Sequence, residues 1–231
     1  MAFDPSKYTV AKARPLPVFL LLDRSSSMGG EKISTLNSAV NEMIQSFKTA
    51  GQGEVDIHLG VISFGDGGAT YDLPLQSVSE ISSVNLNASG GTPMGAALRM
   101  AKDLIEDKEV IPSKGYRPAV VLVSDGAPND DWQQPMEAFV SGGRTAKCER
   151  MAMAIGTSQD DPVLNKFLTG TENKVFLASE AGKIRDFFKF VTMSVSVRSR
   201  SQNPNAVLPP PSVPVTAASI ADMAKEFGID L

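Results

Sequence analysis

The chain has 231 residues, with 42% hydrophobic and 21% charged residues, which are ordinary values for a globular protein with a full core. A formal net charge of -4 without any Lys/Arg cluster argues against a nucleic-acid-binding surface. The only cysteine, Cys148, leaves no partner for an intramolecular disulfide, and no apolar run approaches the roughly 20 residues that span a bilayer. The first residues are polar and lack the apolar core of a signal peptide, so we expect a cytoplasmic protein.

The first predicted elements are a buried strand and an amphipathic helix. The apolar run Leu16–Leu22 is long enough for one buried strand. Apolar residues at three- and four-residue steps predict a helix over Glu31–Ala50. Strands are predicted over Val55–Phe64 and Thr70–Leu75, and the glycine-rich turn between them indicates an antiparallel hairpin. Pro74 favours an edge position for the second strand of this hairpin, because proline cannot donate to a neighbouring strand.

Strands and helices continue to alternate to the end of the main domain. The pattern predicts an α/β fold with a mainly parallel central sheet, one antiparallel edge strand and helices on both faces. The remaining predicted elements are a helix beginning at Pro93 with Thr92 as its cap, a strand from Pro118 to Val123, a helix over Trp132–Val140, a strand over Arg150–Gly156, a short helix over Val163–Leu168, a strand over Lys174–Leu177 and a helix over Ala181–Val197.

Composition divides the chain into four parts. Residues 1–14 lead into a domain over residues 15–198, which is followed by a proline-rich linker at 199–215 and a short amphipathic helix at 216–231. The apolar stripe of this helix is too short to be stable alone, so we expect it to dock on its own domain or on a partner. A frayed terminus is the alternative. The stripe consists of Ile220, Met223, Ala224 and Phe227.

Side chains with oxygen atoms follow the two most apolar strands. Asp23, Ser25 and Ser27 are spaced by two residues after the first strand, and Asp125 follows a later one. In isolation, the two serines could simply cap the next helix. In a parallel sheet, however, the loops after the strands share one rim, and Thr92 at a helix start joins them there. One carboxylate with neutral hydroxyls suits a hard cation, above all Mg²⁺.

Taken in chain order, these motifs resemble the von Willebrand factor type A (VWA) domain and its metal-ion-dependent adhesion site. The resemblance extends over roughly Pro15–Val197. It implies a Rossmann-like VWA fold and one divalent cation, Mg²⁺ first with Mn²⁺ or Ca²⁺ possible, whose shell is completed by a partner's carboxylate. Two carboxylates offset the charge of the ion, while hydroxyls add oxygen without charge. The five positions that match the family motif are Asp23, Ser25, Ser27, Thr92 and Asp125.

Within the family, the sequence of the first strand and the loop after it is most similar to that of the bacterial TerY-type proteins of tellurite-resistance and stress-response clusters. That resemblance implies a cation-dependent protein-interaction module, with a Ser/Thr kinase and a PP2C-type phosphatase as associated partners. Two other functions remain open. One is a VWA subunit of a chelatase or MoxR-type ATPase assembly. The other is a structural module whose metal site is no longer used. The similar stretch runs from Ala13 to Met28.

The sequence does not favour an enzyme. His58, the only histidine, lies in the middle of a predicted strand, and no second motif accompanies Cys148. The glycine-rich turn at Gly65–Gly68 lacks the Lys-Ser/Thr of a phosphate-binding loop. Asp130 and Asp131 follow a proline and are interpreted as a helix start. Mg²⁺-assisted hydrolysis would need a general base, and the sequence offers no candidate for one.

Overall fold

A six-stranded sheet forms the centre of the protein, with strand order β3-β2-β1-β4-β5-β6. The structure is a computed structural model that describes residues 14–50, 55–201 and 203–205, together with Asp222 and Lys225. The strands are β1 (Arg14–Asp23), β2 (Val55–Gly65), β3 (Gly68–Ser77), β4 (Ala119–Ser124), β5 (Glu149–Ile155) and β6 (Phe176–Ala178). The helices are α1 (Glu31–Ala50), α2 (Met94–Glu106), α3 (Gln133–Ser141), α4 (Pro162–Phe167) and α5 (Ala181–Arg200).

The sheet is parallel except at one edge. β1 pairs in parallel with both β2 and β4, and β5 and β6 continue the parallel series. β3 is antiparallel to β2 and forms the edge, so the predicted fold class is confirmed. The hairpin turn contains Gly67 and Gly68 with φ of 77° and 111°, a left-handed backbone that glycine adopts without a steric cost.

Helices cover both faces of the sheet. Alternate residues of β1 enter opposite cores, since successive strand side chains point to opposite faces. Val18 and Leu20 pack in the core that contains α1 and α5, whereas Phe19 and Leu21 pack in the core that contains α2, α3 and α4. This burial on both faces explains why the strand is an unbroken apolar run instead of an alternating one.

Most of the observed elements differ from the predicted ones by one to three residues at an end, as α2, β6 and α5 show. α2 begins at Met94 and not at Pro93, and no side chain of its own loop caps it. The predicted Thr92 cap is therefore wrong: the amides of Gly95 and Ala96 donate instead to Asp130, each at 2.9 Å. Asp130 thus caps α2 and not the helix that follows it in the chain. β6 and α5 end later than predicted, at Ala178 and Arg200.

The strand order reverses between β1 and β4. From β1 the chain builds the sheet outward through β2 and β3 on one side, and through β4, β5 and β6 on the other. The carboxyl ends of β1 and β4 therefore flank the crevice in which open α/β sheets bind ligands. Of the described helices, none is both long and apolar enough to cross a membrane. The apolar stripe predicted for the C-terminal helix lies outside the described residues; Asp222 and Lys225 are helical and exposed.

Candidate metal centre

Three loops meet above the crevice between β1 and β4. The loop after β1 is joined to the loop before α2 by a hydrogen bond of 2.9 Å from the Ser26 amide to the Gly90 carbonyl. The loop after β4 is joined to the same segment twice. The Thr92 amide donates to Asn129 Oδ1 at 3.0 Å, and the Asn129 amide donates to the Thr92 carbonyl at 3.1 Å. These bonds bring together the three motifs that the sequence analysis singled out.

A glycine permits the close approach of the loops. Gly90 has φ of 75°, and a Cβ atom added there would lie 2.4 Å from the Cα of Asp66. Around this contact, the Asp66 amide donates to the Ser89 carbonyl at 2.9 Å, and the Ser89 amide donates to the Arg24 carbonyl at 2.7 Å. Only glycine combines this backbone conformation with this separation. The contact of Gly90 with the β2–β3 turn therefore fixes the position of the loop that carries Thr92.

Asp23 is fully buried, backbone and side chain alike. Its Oδ1 accepts a hydrogen bond from the Ser25 amide at 2.8 Å, and its Oδ2 accepts one from the Ser124 hydroxyl at 2.6 Å. Burial raises the pKa of this carboxyl above its usual range, although both hydrogen bonds oppose the shift. A carboxylate that is desolvated in this way is stabilised by a nearby cation.

A hydrogen-bonded chain of oxygen atoms links the other ligand candidates. The hydroxyls of Ser25 and Ser27 lie 3.0 Å apart, and the Ser27 hydroxyl donates to Asp125 Oδ1 at 2.7 Å. Mg²⁺ binds oxygen at about 2.1 Å in octahedral geometry, so neighbouring ligand oxygens lie about 3.0 Å apart. The spacing of these three oxygens therefore fits two edges of such a shell.

Thr92 also presents a hydroxyl. The residue is buried, and its hydroxyl makes no hydrogen bond within the described part of the chain. Because Asp130 caps α2 from another loop, the Thr92 side chain is not used as a helix cap. Its hydroxyl thus remains available as a ligand oxygen.

Two residues near the site were not singled out from the sequence. Ser124, the last residue of β4, holds Asp23 Oδ2 through its hydroxyl. Lys32 lies in the first turn of α1, and its ammonium is 2.5 Å from Asp125 Oδ2. Ser124 stands directly before Asp125 in the sequence, so its hydroxyl could have been found beside that carboxylate. No sequence pattern near Lys32 predicts its contact with Asp125, which is 93 residues away in the chain.

The donor set suits a hard cation and not zinc. Among the described residues, no group of three or more His, Cys, Asp or Glu side chains could hold a metal. Two carboxylates and three hydroxyls instead supply oxygen atoms with a total charge that one divalent cation balances. Structural and catalytic zinc sites use imidazole or thiolate ligands, which are absent from this constellation. The five predicted residues therefore fit Mg²⁺ better than a transition metal of the zinc type.

The other side chains with potential reactivity, His58 and Cys148, are placed where they contribute to the fold. His58 Nε2 lies 2.9 Å from Asp56 Oδ2 on β2. Cys148 is 4% exposed, and burial raises the pKa of its thiol to about 12. A thiol with this pKa is almost entirely protonated at neutral pH and is a poor nucleophile. Cys148 therefore packs as a small buried residue.

A cavity of about 380 Å³ lies at the opposite end of the sheet, at the amino ends of β4 and β5. Its lining includes Arg117, Lys147 and Arg150. The guanidinium of Arg150 is buried and donates to four backbone carbonyls, those of Thr145, Ala146, Phe167 and Thr169. Arg150 therefore ties surrounding loops together, and the cavity contains none of the predicted site residues.

The chain is similar in sequence to a known family of domains. A model of the von Willebrand factor type A domain matches residues 18–190. Matrilin-3 from Gallus gallus is 28% identical over 161 residues, which are 64% of this chain and 33% of Matrilin-3. The chain thus spans about one third of the length of this curated relative.

Solved structures share the fold at low sequence identity. The pilus adhesin SpaC from Lactobacillus rhamnosus GG, in its open conformation, superposes with a TM-score of 0.65 and 16% identity, covering 80% of this chain and 30% of SpaC. A von Willebrand factor type A protein from Catenulispora acidiphila superposes with a TM-score of 0.55 and 17% identity, covering 78% of this chain and 42% of that one. At these identities the likeness is one of fold.

Proposed function

Because the chain belongs to the von Willebrand factor type A family, we propose that it is a protein-interaction module whose sheet rim binds a divalent cation, Mg²⁺ first of all. Domains of this family typically mediate protein interaction and adhesion. What supports the cation most directly is the chain of oxygen atoms from Ser25 through Ser27 to Asp125, with separations of 3.0 and 2.7 Å.

Each site residue has a distinct part in this proposal. Ser25, Ser27 and Thr92 would supply neutral oxygens, and Asp23 and Asp125 would supply the charge that balances the ion. When bound, the cation would act as a Lewis acid that attracts an anionic group, such as a carboxylate, from the partner. Hydroxyls in place of further carboxylates add oxygen atoms without adding negative charge, so the bound ion keeps its Lewis acidity toward an outside ligand. We infer binding and not catalysis, because within the described part of the chain the only histidine, His58, pairs with Asp56 and is not among these oxygens.

Cation titration tests the site directly. The change is Ser27→Ala, with Ser26→Ala as the matched control, because Ser26 is the exposed neighbour whose amide, and not its side chain, is used in the loop contact. We expect the wild type and Ser26→Ala to bind Mg²⁺ equally, and Ser27→Ala and Asp23→Ala to bind it much more weakly. Isothermal titration calorimetry measures the four affinities.

Thermal unfolding gives a second measurement. At a Mg²⁺ concentration about 100 times Kd, binding stabilises the folded state by about 2.7 kcal/mol. For a domain of this size, that corresponds to a rise of about 5–10 °C in Tm. We expect this rise for the wild type and Ser26→Ala, and its loss in Asp23→Ala. A wild type that neither binds Mg²⁺ nor gains stability from it would overturn the cation site.

The cellular setting is a finer proposal that rests on the first-strand resemblance to TerY-type proteins. We propose a cytoplasmic module of a bacterial tellurite-resistance or stress-signalling system, with a Ser/Thr kinase and a PP2C-type phosphatase among its partners. Affinity capture with wild type and Asp23→Ala, each with Mg²⁺ and with EDTA, tests this setting. Recovery of the kinase or phosphatase only by wild type with Mg²⁺ is the expected result. Recovery of a chelatase or MoxR-type ATPase would favour the alternative assembly.

A further inference from the structure

The ammonium of Lys32 lies on the carboxylate that a cation would approach, at its second oxygen, Oδ2, and not at the Oδ1 that accepts from Ser27. Its Nζ is 2.5 Å from Asp125 Oδ2 and 3.2 Å from the Ser27 carbonyl oxygen. The side chain of Asp125 has no solvent exposure, whereas that of Lys32 is 39% exposed. The ion pair therefore joins a fixed, buried carboxylate to a cation that reaches in from the solvent.

Nothing in the local structure of α1 favours a cation at this position. Lys32 is the second residue of the helix, where the unpaired amides and the helix dipole disfavour positive charge. What stabilises its ammonium here is the charge of Asp125, together with the carbonyl oxygen of Ser27. Within the described residues, it is the only Lys, Arg or His side chain that forms an ion pair with Asp125, and Asp23 has none. Lys32 is thus the internal counter-ion of the site.

We propose that Lys32 competes with the divalent cation for Asp125 and thereby sets the affinity of the site. This inference rests on the cation site proposed above. An ion bound by Ser27 and Asp125 would stand close to the ammonium, and like charges at such a separation repel strongly in partly buried surroundings. Cation binding at Oδ1 is therefore opposed by Lys32 as long as its ammonium stays at Oδ2 of the same carboxylate. In the cation-free protein, the same ammonium keeps the buried Asp125 carboxylate paired.

Lys32 is thus expected to weaken cation binding and to stabilise the cation-free protein. One substitution separates these two effects. Lys32→Met keeps the aliphatic stem and removes the charge. We expect it to bind Mg²⁺ about tenfold more tightly, which is the order of magnitude of one lost charge-assisted hydrogen bond. In EDTA we expect the variant to have a lower Tm than the wild type, because Asp125 is left buried without a counter-ion. Saturating Mg²⁺ should remove or reverse that difference.

The chain offers a matched control. Lys183 lies in the first turn of α5, and its Nζ is 3.4 Å from Asp186 Oδ2 with 33% of the side chain exposed. Lys183→Met changes the net charge equally, so we expect unchanged Mg²⁺ affinity and similar Tm shifts to those of the wild type. Lys32→Arg keeps the charge and should leave the affinity closer to that of the wild type than Lys32→Met does. Circular dichroism checks that each variant is folded; should Lys32→Met fail to fold, Lys32→Gln replaces it.

The outcomes separate this inference from the proposed function. Tighter Mg²⁺ binding by Lys32→Met alone supports the competition, and so does binding by that variant when the wild type binds nothing, although the proposed function would then fail. Equal or weaker binding by Lys32→Met overturns the competition and leaves the cation site standing. Absence of binding in both proteins overturns both.

Discussion

A buried ion pair between α5 and β5 should be among the most sensitive points of the fold. Arg198 Nη1 lies 2.6 Å from Glu149 Oε2, and the two side chains are 1% and 3% exposed. The same guanidinium donates to the carbonyls of Pro204 and Arg117. Burial lowers the pKa of Arg198, and the charge of Glu149 opposes this shift. Each charge is therefore stabilised mainly by the other.

Removing one partner leaves an uncompensated charge inside the protein. Glu149→Met or Arg198→Met should each lower the free energy of unfolding by about 3–5 kcal/mol. With about 2–4 °C per kcal/mol for a domain of this size, Tm should fall by about 6–20 °C. The double variant removes both charges and should lose less than either single variant, because only the two carbonyl contacts remain unsatisfied.

Urea unfolding followed by circular dichroism measures all four proteins of this cycle. Lys166→Met is the control, since its pair with Glu137 at 3.2 Å is 38% and 61% exposed and should be worth less than about 1 kcal/mol. Single variants that cost no more than this control would refute the reasoning. The reasoning would also be refuted if the double variant lost the sum of the two single losses in free energy of unfolding. Two charges that compensate each other should give losses that are not additive.

Three further predictions concern the loops around the site. Asp130→Ala should cost about 1–2 kcal/mol by uncapping α2, whereas its exposed neighbour Asp131→Ala should stay within about 0.5 kcal/mol in the same urea assay. Gly90→Ala should lower the free energy of unfolding by about 3 kcal/mol and weaken Mg²⁺ binding, because its Cβ would collide with the β2–β3 turn. Gly67→Ala has open space around it and should cost only about 1–2 kcal/mol, with Mg²⁺ binding unchanged. Equal costs for the two variants would contradict the steric explanation. Cys148, whose burial raises the thiol pKa to about 12, should resist iodoacetamide at about pH 8 in the folded protein and react after unfolding, as mass spectrometry can show.

The local periodicity of the sequence determined most of the elements. Helix-period apolar residues defined α1, and unbroken apolar runs defined β1 and β4, which the structure buries on both faces. The glycine-rich turn with Pro74 correctly indicated an antiparallel edge strand. Strand-end motifs likewise placed Asp23 and Asp125 on one rim, because the direction of parallel strands fixes where their loops lie. These features depend on residues close together in the chain, so the spacing of apolar and turn-forming residues is enough to predict them.

Contacts between distant residues were decided only by the tertiary structure. Asp130 caps a helix through the amide of Gly95, 35 residues earlier, and Lys32 pairs with Asp125 across 93 residues. Arg198, the last residue of the predicted domain, is buried against Glu149. Which carboxylate meets which amide or ammonium depends on the order of strands in the sheet, and no periodicity encodes that order. The sequence by itself therefore determined the oxygen atoms of the site, and the tertiary structure decided which charge stands beside them.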